Sequence, residues 1–264
     1  DGVTTALEVH FMGNRRNPML TEAKFTYQLA DADAHEVVVS GGRFWWPFGI
    51  HNKEWFSSLN NFPLMSVAGA EIVPAHYNEV GFMLEGASAL SGSWGINYVG
   101  AIGNGVPSFD FMDMVGSGAD LDADRTVTGR LALAHVGTLG LEIGMSGASG
   151  GLRDDLDPSQ PVDNANRYGA GFTAFGPDLT LTWSQLALSA YWYHSYEELA
   201  EAPRPELARD GFTIESSYRL PVADNDRLSA VGLHARVSWA EEDNVVGDVY
   251  RRRQYSGAIS FELT

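Results

Sequence analysis

Apolar and polar residues alternate one by one through this chain, segment after segment. In 139–146, Leu139, Leu141, Ile143 and Met145 take one parity, and Gly140, Glu142, Gly144 and Ser146 take the other. A two-residue period sends successive side chains to opposite faces of a β-strand. Each such strand then has one greasy face and one face of charge, glycine and serine. Val80, Phe82 and Leu84 stand in the same way against Glu79, Gly81, Met83 and Glu85. Val231, Leu233, Ala235, Val237 and Trp239 stand against Gly232, His234, Arg236 and Ser238. A single strand is thus built for two solvents at once.

About twelve strands of roughly eight to twelve residues can be read this way, a length that spans the apolar band of an outer-membrane barrel. Short turns, as at Val136 to Thr138, tend to alternate with longer polar stretches such as 103–124 and 147–166. Trp45, Trp46, Trp94, Trp183, Trp192, Trp239 and Tyr255 fall near strand ends, where interfacial aromatic girdles sit. The alternative is a soluble β-sandwich, whose strands also alternate. Full charges on one face and almost only apolar or aromatic residues on the other favour the barrel. In lipid every backbone N–H and C=O must be paired, which a closed sheet achieves.

The expected fold class is therefore all-β: an antiparallel transmembrane β-barrel in a single domain over 1–264, located in the bacterial outer membrane. Composition narrows the function. No cysteine is present, so thiol chemistry, cysteine zinc sites and disulfide stapling are excluded. No apolar run approaches the length of a membrane helix. A net charge of -17 argues against nucleic acid as a partner. Lys24 and Lys53 are the only lysines. No signal peptide is visible, and Asp1 reads as a processed start.

Two blocks carry a family resemblance. The first is Gly42-Arg43-Phe44-Trp45-Trp46-Pro47-Phe48-Gly49-Ile50-His51-Asn52, and the second runs from Pro74 to Gly86 with Glu79-Val80-Gly81 inside it. A strand ending in G-[KR]-F-x-x-P-F-G-[IV]-x-N, followed by P-x-x-x-x-E-V-G-x-x-L-x-G, resembles bacterial porins of the phosphate-selective O and P type and their porin-like relatives. The resemblance implies a channel, a homotrimer, and a complete barrel of about sixteen strands of which this chain holds most. The chain ends at Leu263-Thr264 without the expected terminal aromatic strand, so the barrel is expected to be incomplete at one or both ends. For the phosphate-selective members the resemblance also implies anion transport. Two lysines and the acidic balance argue against strong anion selectivity here.

The candidate pore-lining residues are Lys24, Arg43, Glu79, Glu85, Arg130, Glu142, Glu215, Arg219, His234 and Arg236, with Glu8 and Glu262 of the same parity. Charges across a lumen set a field that shapes selectivity. The plainer reading, expected for at least half of them, is that they pair to stiffen the wall. The stretch 53–72 does not alternate and is long for a hairpin loop. It reads either as an extracellular loop with a short helix at Asn52 to Leu59, or as a segment folded back into the pore.

Other motifs are weaker. Asp120, Asp122 and Asp124 resemble the start of a calcium loop, but Arg125 stands where glycine belongs and Leu131 where the closing glutamate belongs. Gly147-Ala148-Ser149-Gly150-Gly151 matches G-x-S-x-G without the helix that a nucleophile elbow needs. The histidines lack metal spacing. The leading expectation is a porin-like channel for passive diffusion of small hydrophilic solutes or ions, with no enzyme activity and no cofactor. Its partners would be membrane lipid and lipopolysaccharide. The alternative is a structural or adhesive barrel whose acidic external loops bind a protein partner, a surface layer or divalent cations. A third is an outer-membrane enzyme, for which Ser149 and His135 are the only candidates.

Overall fold

The computed structural model of the chain describes residues 5–14, 17–32, 35–50, 62, 66–72, 78–104, 125–151, 171–197, 207–222, 228–243 and 249–263. Twelve strands form one antiparallel sheet in strict sequence order. They are β1 (Thr5–Asn14), β2 (Asn17–Ala32), β3 (His35–Trp45), β4 (Asn78–Ser91), β5 (Trp94–Gly103) and β6 (Thr126–His135). The second half holds β7 (Leu139–Gly151), β8 (Gly171–Trp183), β9 (Leu186–Glu197), β10 (Leu207–Pro221), β11 (Leu228–Asp243) and β12 (Val249–Leu263). One short helix, α1 (Val67–Glu71), lies between β3 and β4. Among the described residues no ladder joins β1 to β12.

Every strand pairs with its sequence neighbour, as a meander of hairpins requires. Short connections such as Gly92–Ser93 and Ser184–Gln185 lie at one end, and the longest, between β3 and β4, β5 and β6, and β7 and β8, lie at the other, together with the two-residue connection between β1 and β2. The parity read from the sequence decides which face is which. Phe82 is 67% exposed, Leu131 59%, Ile143 50% and Met145 54%. Their opposite-parity neighbours Met83, Ala132 and Ser146 are buried. No second layer covers Leu139 or Ile143 among the described residues, so the sandwich reading fails. A continuous apolar surface of this kind needs a hydrocarbon solvent.

The inner face is covered in part by the stretch after β3. Trp46 packs on Phe172 of β8, and α1 contacts β9, β10, β11 and β12. A segment leaving β3 reaches those strands only because the sheet curves around it. The described residues of this stretch, 46–50, 62 and 66–72, thus lie inward, and the described helix is Val67–Glu71. The helix expected at Asn52 to Leu59 lies outside the described residues, as does the acidic stretch 105–124.

Several boundaries move. β7 runs on to Gly151, into the polar stretch 147–166, and β11 and β12 take in most of the charge-rich 241–252. β8 is one strand through Gly176-Pro177-Asp178. Pro177 has no N–H to give, and the β8–β9 register skips Gly176 and Pro177 while the β7 side stays continuous. Trp46 is not a girdle residue: it is fully buried inside the sheet. Trp94, Trp183 and Tyr255 are exposed on the outer face, although Tyr255 sits in mid-strand, opposite Val237.

The outward row makes a direct prediction. Ile143→Arg should destabilise the folded protein in lipid vesicles by about 2–4 kcal/mol, because it puts a charge in the apolar band. Val136→Arg, at an exposed turn, should change stability by less than about 0.5 kcal/mol. Urea unfolding in vesicles measures both.

Candidate functional site

Two charged networks line the inner face. On β5 to β8, Arg130 donates from Nε to Asp178 Oδ2 at 2.9 Å and from an Nη to Asp178 Oδ1 at 2.5 Å. The same Nη reaches Glu142 Oε1 at 2.6 Å, and Asn97 donates to Glu142 Oε2 at 3.0 Å. The forked pairing suits guanidinium to carboxylate geometry. On β10 and β11, Arg236 Nε donates to Glu215 Oε1 at 2.6 Å, and Arg209 Nε donates to Glu242 Oε2 at 3.0 Å. His234 stands between the hydroxyls of Ser217 and Ser260, at 2.8 Å from each. Near the short-turn end Arg219 pairs with Glu262 at 2.8 Å, with half of each side chain open.

The inward segment lies across this wall as a strap. Its apolar part stacks Trp46 on Phe48 and sets Phe48 edge-on to Tyr193, at ring separations of 5.7 and 5.2 Å. Gly49 N–H donates to Ser146 Oγ at 2.9 Å. At Gly49 φ is 69°, and a Cβ there would fall 1.9 Å from the Tyr193 hydroxyl. Only glycine fits both the backbone turn and the close approach. The Pro-Phe-Gly of the sequence is therefore the point where the chain turns off β3 into the interior.

The helix of the strap is held by wall side chains. Ser66 caps α1 by accepting from Gly69 N–H at 2.9 Å, and its hydroxyl also bonds the Tyr191 hydroxyl. Val67 N–H donates to Gln254 Oε1 at 3.0 Å, and Ala68 N–H to Ser238 Oγ at 3.1 Å. These bonds satisfy first-turn donors that no helix can satisfy internally. Gly211 of β10 makes room: a Cβ there would meet Ile72 and Ala68 at 2.5 and 2.7 Å. Phe62 lays its ring over Arg236, with Cζ 4.0 Å from the ring centre. A guanidinium over an aromatic face is attractive in itself.

The residues chosen from the sequence are placed as follows. Arg130 and Glu142 join one network, and Glu215, Arg236 and His234 gather under the strap. Arg219 lies nearer the short turns. Register puts Lys24 opposite Gly42 and Glu85 opposite Val99, in the inner rows. Glu79 pairs opposite Phe44 in an inner row, and its side chain lies outside the described residues. Arg43 is corrected: it pairs across Val80 and Ala23, in the outer rows. The Gly41-Gly42 pair hides the parity there, since glycine marks neither face.

Asp178 and Arg209 were missed. Asp178 hid behind the proline, although counting back by twos from Thr182 and Thr180 puts it on the inner face. Arg209 falls in the acidic stretch 196–210, where Pro203 and Pro205 interrupt any pattern. Tyr191 and Tyr193, the anchors of the strap, alternate with Trp192, and that parity is the sequence signal of their inward position. Asp120, Asp122 and Asp124 lie outside the described residues. No group of acids and histidines among the described residues could hold a metal ion. Ser149 sits in the regular run of β7 opposite Val127 and Thr173, so it is on no nucleophile elbow.

No family profile matches the sequence, and no curated protein does. Solved structures do. The chain superposes on outer-membrane expressed OmpT of Vibrio cholerae with a TM-score of 0.58 and 9% identity, covering 99% of this chain and 70% of that one. The loop L8 deletion mutant of OmpT gives 0.56 at 8% identity, covering 99% and 89%. An in-vitro folded OmpT in trimer form gives 0.53 at 9% identity, covering 99% and 85%. At such identity the likeness speaks for the fold alone. The fold is that of bacterial outer-membrane β-barrel proteins. With the exposed apolar rows it places the chain in the outer membrane.

The Arg236–Glu215 pair is nearly closed to water. Glu215→Gln should leave the cation under-compensated and cost about 3 kcal/mol. Arg219→Gln breaks an exposed pair and should cost less than about 1 kcal/mol. Unfolding midpoints in vesicles compare the two.

Proposed function

We propose that the protein is an outer-membrane porin-like channel through which small hydrophilic solutes or ions diffuse passively. The observation that carries the reading is the strap. An inward segment is pinned by hydrogen bonds to β7, β9, β11 and β12 over a polar inner face, while charged groups elsewhere on that face stay open to water. Arg219 and Glu262 are 51% and 46% exposed on the inner side. A plugged structural barrel has no need of wetted charge there. The strap narrows the passage from one side and sets its width, and the paired charges keep the wall close to neutral. Strong selectivity for phosphate is therefore not part of the proposal, although the porin-like resemblance is.

Transport on this reading uses no cofactor and no covalent chemistry, and the protein is not an enzyme. The resemblance and the trimer form of one OmpT structure support a homotrimer. Lysine is scarce on the candidate inner wall, so discrimination between anions and cations should be weak.

Planar bilayers test the proposal. The purified protein, folded as judged by heat-modifiable gel migration, should give stepwise single-channel conductance. Gly211→Leu should force Ile72 and Ala68 off the wall and change the size of the step by more than about a third. Folded protein without conductance would refute the channel. An unchanged step in the variant would remove the strap as the narrowing element.

A further inference from the structure

The outer face of β9 to β12 changes character over a few residues toward the long-connection end. One outward row holds Val237, Ile214 and Leu179. The next holds Trp192, Phe212, Trp239 and Arg253, in register across four strands. The row beyond it is polar: His194, Asp210, Glu241 and Arg251. Hydrocarbon, aromatic and charged rows in this order mark the edge of a membrane's apolar band. From Phe261 to Arg253 the strand covers roughly 27 Å, or roughly 21 Å along the membrane normal at a tilt of about 40°. Arg253 thus lies where hydrocarbon gives way to headgroups.

The ion pairs of this patch leave Arg253 out. His194 Nδ1 lies 3.0 Å from Asp210 Oδ1, and Arg251 Nε donates to Glu241 Oε2 at 2.9 Å. Arg251 keeps 60% of its side chain exposed. Arg253 is exposed, shares its face with Arg251, and has no hydrogen bond or ion pair among the described residues. Between them Arg252 has the opposite parity, with its guanidinium bonded to the Tyr250 hydroxyl. An unpaired guanidinium beside hydrocarbon is costly, and the cost falls when an anion meets it at the interface.

We infer that the outward face of β11 and β12 binds the phosphate group of an outer-leaflet glycolipid. Arg251 and Arg253 are the cations, and Trp239 is the apolar wall along which the lipid lies. This rests on the membrane reading of the fold and not on transport. Guanidinium is suited to phosphate because its donors match two phosphate oxygens at once.

Native mass spectrometry of the full chain in detergent micelles, titrated with lipid A, tests the site. Heat-modifiable migration on a gel is run beside it and reports on the membrane fold separately. The wild type should hold one lipid A. Arg251→Gln with Arg253→Gln should weaken binding at least ten-fold, since each basic residue near an anionic surface contributes about five-fold. Arg252→Gln should bind as the wild type does. Binding that is absent in the wild type, unchanged in the double variant, or equally lost in Arg252→Gln overturns the site while the membrane fold stands. Displacement by an equal concentration of inorganic phosphate also overturns it, because the ligand would then be a soluble anion. Loss of heat-modifiable migration in the wild type removes the membrane reading, and the site with it.

Discussion

A backbone amide in hydrocarbon has no water to bond, and that constraint shapes the whole molecule. An unpaired N–H or C=O there costs several kcal/mol. Twelve strands in sequence order answer it with a ladder in which each strand bonds its neighbours. The ladder survives even where a residue cannot donate. At Pro177 the bonding to β9 lapses, while the bonding to β7 continues through Asp178 and Gly176. With β2 to β11 each bonded to a neighbour on both sides, side chains are free to specialise by face.

The inner face then poses its own problem. Its charges are partly sealed from water, and charge buried alone is expensive. Arg130 with Asp178 and Glu142, and Arg236 with Glu215, resolve it by pairing across neighbouring strands. The strap resolves the rest. It offers backbone N–H groups to the Ser146 and Ser238 hydroxyls and the Gln254 amide oxygen of the wall. The polar wall and the inward segment are each incomplete without the other.

Much of the fold could be read from parity alone. Leu139, Ile143 and Met145 declare one face, Glu142 and Ser146 the other, and the structure keeps that division. Parity failed where its markers were weak. Gly41 and Gly42 sit before Arg43, and neither glycine shows which face it is on, so an outward arginine looked inward. Pro177 beside Asp178 reads as an irregularity within a long strand, and it hides half of the Arg130 network. Trp46 looked like an interfacial aromatic because tryptophan at a strand end usually is one.

The sequence by itself determined the strand period, the two-solvent character of each strand and the existence of an anomalous stretch after β3. These are local properties, carried by residues one or two positions apart. Only the tertiary structure decided where that stretch goes and which charges meet. Val67 bonds Gln254, and Ser66 bonds Tyr191, across separations of 187 and 125 residues. No short window of sequence contains both partners, and curvature of the whole sheet brings them together.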